Sequence, residues 1–351
     1  MKDNGSNKVK ILPITNLEKV ALKNKIFNSV NKIERKKSRK GLTMAVTFSM
    51  MVLVGLSFYF YNEPTTSITD VVNTSEVTDF SKSDEVVLIL GDGENLKIKE
   101  ENSNINYSNS GKTLTIGKGR EIEQETSRNS KTSYNTLIIP YGKRSKINLS
   151  DGTIVWLNSG SKLVYPVAFN GDRREIYLEG EAIFDVAHDK SHPFIVKSKD
   201  QEIEVLGTVF GVTSYTDEEA INTVLKSGSV QISYHNDPKT HKYADKIKIT
   251  PGTKATYNKD TQGIVSEKVN VNNYFSWRDG VLVFQNNDLQ YVINRISRYY
   301  NVEIEIANKE LAKESFSGYL DLNEDIEKVI QNIAASTNMN YTIENDKIII
   351  N

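Results

Sequence analysis

Three carboxylates on one predicted strand are the first candidates for chemistry. Glu179, Glu181 and Asp185 alternate with other residues in the segment EIYLEGEAIFD, residues 175–185. A pair of carboxylates can act as general acid and base, as in glycoside hydrolysis, when both face one cleft. Residues two apart on a strand lie on the same side of a sheet. We therefore interpret the three carboxylates as the solvent-facing side of a sheet, and an anchored glycan hydrolase stays a minor alternative.

Metal-ligand patterns are sparse. His188 and His192 have an i, i+4 spacing that binds metals on a helix, but Pro193 follows directly, which predicts a loop between strands. The acidic run at 217–219 is contiguous, whereas a calcium loop needs ligands at alternate positions. We interpret this run as a solvated turn. The chain has no Cys, which excludes Cys-ligated zinc and Cys nucleophiles. The sequence predicts no metal and no cofactor.

Sequence motifs for catalysis are absent as well. The chain has no G-x-S-x-G, H-E-x-x-H, Walker A or G-x-G-x-x-G pattern. We interpret Trp156 and Trp277 as packing residues. The sequence therefore predicts that the protein is not an enzyme.

An uncharged segment predicts one membrane-spanning helix. Residues 41–61, GLTMAVTFSMMVLVGLSFYFY, contain no charged residue, and about 20 apolar residues span a bilayer core. The next basic residue on the C-terminal side is Lys82. A 40-residue arm before the apolar run and the lack of an A-x-A site favour an uncleaved anchor over a cleaved signal peptide. A topogenic basic cluster precedes the segment: Arg35, Lys36, Lys37, Arg39 and Lys40.

The charge distribution sets the expected orientation. Residues 1–40 carry 12 Lys/Arg and 3 Asp/Glu, whereas residues 62–351 have a net charge of −10. The positive-inside rule then places residues 1–40 in the cytoplasm and 62–351 across the membrane. We predict a single-pass membrane protein whose N-terminus lies in the cytoplasm and whose C-terminus lies on the other side of the membrane. We expect no direct binding of nucleic acid, because topology already explains the basic charges.

The basic head contains a weakly amphipathic helix over residues 15–37, which Thr15 or Asn16 can cap. Leu22 and Ile26 fall away from its main apolar stripe. Two interpretations stay open: the helix lies on anionic lipid, or its stripe docks into a groove of a partner. The apolar stripe is the candidate binding face: Leu17, Val20, Ala21, Phe27 and Val30.

The exported part is predicted to be mainly β with a small α+β domain. Many short apolar runs separated by turn signals indicate an antiparallel sandwich, a barrel or a stacked-sheet domain. Asp-Gly turns follow similar apolar runs in residues 90–96 and 149–157, a weak internal repeat. After Trp277 the predicted order is β-α-β-β-α-β-β, with Asp288 capping the first helix and both helices on one sheet. The predicted segments are a cytoplasmic segment 1–40, a transmembrane helix 41–61, a linker 62–84, a β-rich extension 85–133, a β domain 134–270 and an α+β domain 275–351.

Two blocks of the chain resemble a known family. The block from Tyr134 resembles the periplasmic part of FecR-type anti-sigma factors in the form common in Bacteroidetes, and residues 277–351 resemble the small domain that follows it there. The resemblance covers about 220 residues in the family's order. It rests on residues 141–144 (YGKR), 149–158 (LSDGTIVWLN), 163–166 (LVYP), Phe169, 178–186 (LEGEAIFDV), 193–196 (PFIV), 205–210 (VLGTVF), 277–280 (WRDG) and 316–318 (FSG).

The resemblance implies a place in the bacterial inner membrane with the C-terminus in the periplasm, and a function in signal transduction and transcription regulation. In this family a cytoplasmic segment holds an extracytoplasmic-function sigma factor, and the periplasmic domains sense the signalling domain of a TonB-dependent outer-membrane receptor. The family's cytoplasmic region usually has several helices, whereas this chain offers only residues 17–30. A membrane-tethered periplasmic binding or scaffold module without sigma-factor activity therefore stays open as the alternative.

Overall fold

The computed structural model describes residues 14–61, 67–74, 84–99, 102–128, 131–237, 242–243, 246–337, 339–344 and 347–351. The side chains of residues 34–43 and 58–61 lie outside this description. The chain forms two compact units, Met1–Pro64 and Thr65–Asn351.

The first unit contains one helix, α1 (Asn16–Tyr61). Its start is a capping box, since the Glu18 N–H donates to Thr15 Oγ1 at 3.4 Å and the Thr15 N–H donates to Glu18 Oε2 at 3.0 Å. The helix predicted over residues 15–37 is therefore confirmed, but it continues without a break through residue 61.

The second unit begins with α2 (Ile68–Thr74) and continues mainly as strands. In chain order the strands are β1 Val86–Ile89, β2 Asn95–Ile98, β3 Asn102–Tyr107, β4 Thr113–Ile116, β5 Arg120–Glu123, β6 Ser127–Arg128, β7 Lys131–Thr132, β8 Tyr134–Ile139, β9 Arg144–Asn148, β10 Ile154–Leu157, β11 Ser161–Pro166, β12 Arg174–Asp185, β13 Phe194–Lys197, β14 Gln201–Val205, β15 Val209–Ser214, β16 Ala220–Ser227, β17 Val230–Asp237, β18 Lys242–Tyr243, β19 Ile247–Ile249, β20 Thr253–Asn258 and β21 Ile264–Lys268.

Strands β1–β21 are here called the β body. All of them except β6, β7 and β18 lie in two layers, whereas β6 pairs with β7 and β18 pairs with the end of β17. The first layer runs β2-β1-β8-β11-β12-β13-β14-β17-β19. The second runs β5-β4-β3-β9-β10-β12-β15-β16-β20-β21. Strand β12 belongs to both layers, so they join into one curled sheet. Leu163 pairs with Leu178 in the first layer, and Phe184 pairs with Phe210 in the second.

Alternating apolar residues from both layers fill one core. Leu163, Phe184, Phe194 and Phe210 are completely buried there. The rings of Phe184 and Phe210 stack with centroids 5.0 Å apart. Burying a side chain of this size stabilises the fold by about 1.5–3 kcal/mol. The prediction of stacked, mainly antiparallel sheets is confirmed.

The repeated Asp-Gly turns have the same geometry. Gly93 donates its N–H to Leu90 O at 2.8 Å, and Gly152 donates to Leu149 O at 3.0 Å. Both glycines have positive φ, +90° and +85°, which glycine adopts without steric cost. Asp92 accepts from the N–H two residues later, as its counterpart does in the second turn. The internal repeat is therefore a repeated hairpin turn.

One segment departs from the sequence interpretation. Helix α2 lies inside the predicted linker, where Ile68 is 1% exposed and the helix contacts β11 and β12. Ser67 Oγ accepts from the Thr69 N–H at 3.1 Å at its start. The predicted β-rich extension, residues 85–133, does form strands, and its polar part contributes β3 and β5. Backbone pairing with neighbouring strands forms these elements where side-chain periodicity is weak.

The C-terminal part, residues 275–351, has the predicted order of elements. After a short α3 (Asn272–Phe275) come β22 (Val281–Asp288), α4 (Leu289–Tyr300), β23 (Glu303–Ile306), β24 (Ser315–Asp321), α5 (Ile326–Ser336), β25 (Tyr341–Glu344) and β26 (Lys347–Ile350). We call this part the C-terminal domain.

The expectation that both helices cover one sheet is wrong. Strands β22 and β24 form one antiparallel pair, and β23, β26 and β25 form a second, mixed sheet. Asp288 occupies the N-cap position of α4 but makes no capping hydrogen bond. Asp325 does cap α5, accepting from the Lys328 N–H at 3.0 Å. Element order follows from local periodicity, whereas strand pairing depends on long-range contacts.

Candidate functional site

The apolar stripe on α1 is a candidate binding face in the first unit. Leu17 is 84% exposed, and Val20, Phe27 and Val30 are 47–60% exposed. Ala21 is exposed as well. The basic residues Arg35, Lys36, Lys37, Arg39 and Lys40 lie in the helical backbone, but their side chains lie outside the described residues.

In the portions of the chain that the structure describes, no helix meets the length and apolarity needed to cross a membrane. The predicted span, residues 41–61, includes residues 41–43 and 58–61, whose side chains lie outside the description.

In the second unit, a buried ion pair joins the β body to the C-terminal domain. Arg295 on α4 donates from Nη2 to both carboxylate oxygens of Glu181 on β12, at 2.7 and 2.6 Å. The two side chains are only 9% and 7% exposed. Asn158 also donates to Glu181 Oε2, at 2.6 Å. Burial makes the pair costly to break, because one partner alone would be left as an unpaired charge.

A second cluster lies one helical turn further along α4. Arg298 donates to Glu218 at 2.6 Å and to both oxygens of Asp217 at 2.8 Å. Its guanidinium lies 3.9 Å from the ring centroid of Tyr215, a cation–π contact. The Tyr215 hydroxyl donates to Ser159 O at 2.8 Å. Residues three apart share a helix face, so Arg295 and Arg298 both point to the β body.

Electrostatics keep these groups in fixed protonation states. Burial would lower the pKa of Arg295, but the adjacent Glu181 carboxylate outweighs it and raises this pKa well above its ordinary value. Burial and then the charge of Glu181 raise the pKa of Tyr215. Burial raises the pKa of Tyr291 to about 12. Arg295 therefore stays charged, and Tyr215 and Tyr291 stay neutral. The polar contacts between the β body and the C-terminal domain are therefore kept across physiological pH.

Apolar contacts also join the β body to the C-terminal domain. Ile183 on β12 and Val224 on β16 belong to the core of the C-terminal domain and not to that of the β body. Trp277, only 3% exposed, lies in the same core, which confirms its interpretation as a packing residue. Trp156 is half-buried. Arg144 on β9 donates to Trp277 O at 2.7 Å. The C-terminal domain thus covers the outer side of the second layer.

Two interpretations of acidic residues are wrong. Glu181, predicted to face solvent, is covered by Arg295 of α4 and its side chain is 7% exposed, whereas Asp185 is exposed as predicted. Glu218, expected in a solvated turn, has a side chain only 8% exposed, whereas Asp217 is 59% exposed. Alternation identifies which residues share a face but not what lies on it. A usable signal was the i, i+3 spacing of Arg295 and Arg298 on an otherwise amphipathic helix.

The histidines lie in the predicted loop between β12 and β13. His192 Nδ1 is 2.7 Å from Asp189 Oδ2. Within the described ranges, no group of three or more His, Asp or Glu side chains is close enough to hold a metal ion. The pair is a surface contact.

Comparison with known proteins finds two family domains in the second unit. Residues 135–231 match the FecR protein family, and residues 281–350 match the FecR C-terminal family. The chain thus carries a FecR domain followed by a FecR C-terminal domain, which is consistent with a FecR-type anti-sigma factor. Among curated proteins, none matches it significantly.

Two solved structures are similar to this chain. Both are crystal structures, at 1.65 and 2.50 Å resolution, of a candidate anti-sigma factor from Parabacteroides distasonis ATCC 8503. Each has 27% sequence identity and a TM-score of 0.57, and each alignment covers 62% of this chain and 98% of the other.

Proposed function

We propose that this protein is a single-pass inner-membrane regulator of an extracytoplasmic-function sigma factor, which senses a TonB-dependent outer-membrane receptor. The observation that carries the proposal is the succession of a FecR domain and its C-terminal domain, joined by the buried Glu181–Arg295 pair. A regulator of this class binds partners and needs no catalytic set.

The proposed sigma-factor site is the apolar stripe of α1. Its side chains are exposed, and exposed apolar residues on one helix face suit docking into a hydrophobic groove. In this proposal residues 1–40 lie in the cytoplasm, where a sigma factor is available.

The proposed anchor is residues 41–61. The segment carries no charge in its 21 residues, and the basic cluster precedes it. These features support an orientation with the N-terminus in the cytoplasm and the C-terminus in the periplasm.

The proposed sensor is the β body together with the C-terminal domain. Its two ion-pair clusters and shared apolar contacts favour movement of both parts as one unit. A receptor domain that binds either part would then displace the whole exported region, and the displacement would reach the cytoplasm through α1.

Co-purification of the full-length protein, in detergent, with the sigma factor encoded beside its gene tests the proposal. Leu17→Asp, Val20→Asp and Phe27→Asp together should abolish co-purification. A matched control changes Leu22, Ile26 and Ile33, which are 56–67% exposed on other sides of the same helix, to Asp. The control should retain the sigma factor.

The outcomes separate the two functions considered. Loss only in the stripe variant supports the regulator. Loss only in the control places the site on the other side of α1. No co-purification of the unaltered protein would favour the periplasmic binding or scaffold module.

A further inference from the structure

A recess of about 340 Å³ opens on the outer side of the second layer, where the C-terminal domain meets β9 and β10. Three cationic side chains and two indoles line it, and we call it the cationic recess. Its defining residues are Arg144, Lys146, Trp156, Trp277 and Arg278.

Strand alternation builds the floor of the recess. Ser145 and Ile147 are buried, so Arg144 and Lys146 between them lie on the outer side. Lys146 pairs directly with Trp156 across β9 and β10. Cross-strand partners lie about 5 Å apart at Cβ, which brings the ammonium over the indole.

Cation–π contacts hold two of the cations in place. Lys146 Nζ lies 5.6 Å from the Trp156 ring centroid, and Arg278 Cζ lies 5.0 Å from it. Such contacts are worth about 0.5–1 kcal/mol at exposed sites. The cations are therefore ordered before any ligand arrives, which lowers the entropic cost of binding an anion.

The recess has more positive charge than its own acids neutralise. Among the described residues, neither Arg144 nor Lys146 forms an ion pair, and Arg278 has only Asp279, at 3.5 Å. Cations without acidic partners around a cavity match a ligand that supplies acceptor oxygens and negative charge.

We infer that the cationic recess binds a short carboxylate-bearing peptide segment of the receptor's signalling domain. The inference rests on the proposed function and names the surface and the chemistry by which the sensor recognises its partner. Asp or Glu carboxylates would meet Lys146 and Arg278, and their aliphatic stems would contact the Trp156 indole.

A membrane surface is the less favoured anion. Residues 62–351 carry a net charge of −10, so an extended anionic bilayer would be repelled by the rest of the protein. A short segment meets only the local cations, since charges beyond about 10 Å are largely screened at moderate salt.

The test measures binding of the full-length protein in nanodiscs of zwitterionic lipid to the purified signalling domain of its receptor. Lys146→Gln with Arg278→Gln should weaken binding about tenfold, and the corresponding Glu variant should weaken it further. Asp279→Asn should tighten binding two- to threefold, because it removes the acid that competes for Arg278. Lys313→Glu, a change at an exposed cation elsewhere in the C-terminal domain, is the control and should bind normally.

Each outcome decides the inference. Graded loss together with the gain from Asp279→Asn supports it, since a merely structural defect would not improve binding. Equal binding by all variants overturns the site but leaves the receptor as partner. If the unaltered protein does not bind the signalling domain, the receptor is the wrong partner, while co-purification with the sigma factor still tests the regulator. If the recess cations are instead required for binding to anionic phosphatidylglycerol vesicles, the ligand of the cationic recess is a membrane surface and not a peptide.

Discussion

Glu181 and Arg295, 114 residues apart in the sequence, form an ion pair that is almost fully buried. Arg295 donates to both carboxylate oxygens of Glu181. The carboxylate comes from the strand that both layers of the β body share, and the guanidinium comes from the first long helix of the C-terminal domain. The pair therefore connects the centre of one part to the helix that organises the other.

Removing one partner of this pair should be strongly destabilising. Arg295→Met leaves Glu181 charged and buried, and we expect a loss of about 3–5 kcal/mol in the free energy of unfolding. Urea unfolding followed by the fluorescence of Trp156 and Trp277, the two tryptophans of the chain, measures it.

A second substitution supplies the control. Adding Glu181→Leu to Arg295→Met removes the unpaired charge and should recover most of the stability. If Arg295→Met alone is as stable as the unaltered protein, the pair does not hold the two parts together.

The two acids that contact Arg298 should contribute unequally to the free energy of unfolding. Asp217 is 59% exposed and Glu218 is 8% exposed. Asp217→Asn should cost about 0–1 kcal/mol, because solvent screens an exposed pair. Glu218→Gln should cost more, because it leaves the buried guanidinium of Arg298 less well neutralised. The same urea unfolding compares them, and equal effects would contradict the difference in burial.

Gly180, where β12 passes from one layer to the other, should not tolerate a side chain. Its φ is +99°, and an added Cβ would lie 2.5 Å from Ser161 Oγ and 2.8 Å from Gly160 O. Gly93, with φ +90° and no atom within 4 Å of an added Cβ, is the matched control. Gly93→Ala should cost about 1–2 kcal/mol from backbone conformation alone. Gly180→Ala should cost a further 1–3 kcal/mol, approximately, from overpacking. Similar melting temperatures for the two variants would contradict the close approach of Gly160 and Ser161 to Gly180.

The surface contact of Asp189 with His192 predicts that the pKa of Asp189 depends on His192. The hydrogen bond with His192, followed by the Ser191 N–H, lowers the pKa of Asp189 from 3.8 to about 2. A lowered pKa means that the contact stabilises the fold above about pH 4 and that this contribution is lost as the pH falls towards 2. In His192→Ala the Asp189 pKa should rise towards 3.8, as carboxyl ¹³C NMR would detect. His188→Ala, at the other histidine of the loop, should leave the value near 2.

The absence of cysteine makes the proposed topology directly testable. Single cysteines at Ser29 and Ser110, both exposed, can be introduced into the full-length protein. A membrane-impermeant maleimide added to cells with a permeabilised outer membrane should label Ser110→Cys and not Ser29→Cys. Labelling of both, or of Ser29→Cys alone, would contradict the orientation.

Local periodicity was enough to predict much of this fold. The alternation in β12, the Asp-Gly turns and the helical spacing of Leu289, Val292, Ile293 and Ile296 each depend on neighbours within a few residues. The order of elements in the C-terminal domain followed from these patterns. The residues that carry the FecR resemblance likewise lie in short contiguous segments, so the sequence alone was enough to detect them.

Only the tertiary structure decided what covers each face. The pattern placed Glu181 and Ile183 on one side of β12, but it could not show that α4 covers this side. The pairing of β22 with β24, the double membership of β12 and the assembly of the cationic recess all join residues far apart in the chain. Such contacts depend on loop closure and on mutual burial, which a local pattern of apolar and polar residues does not encode.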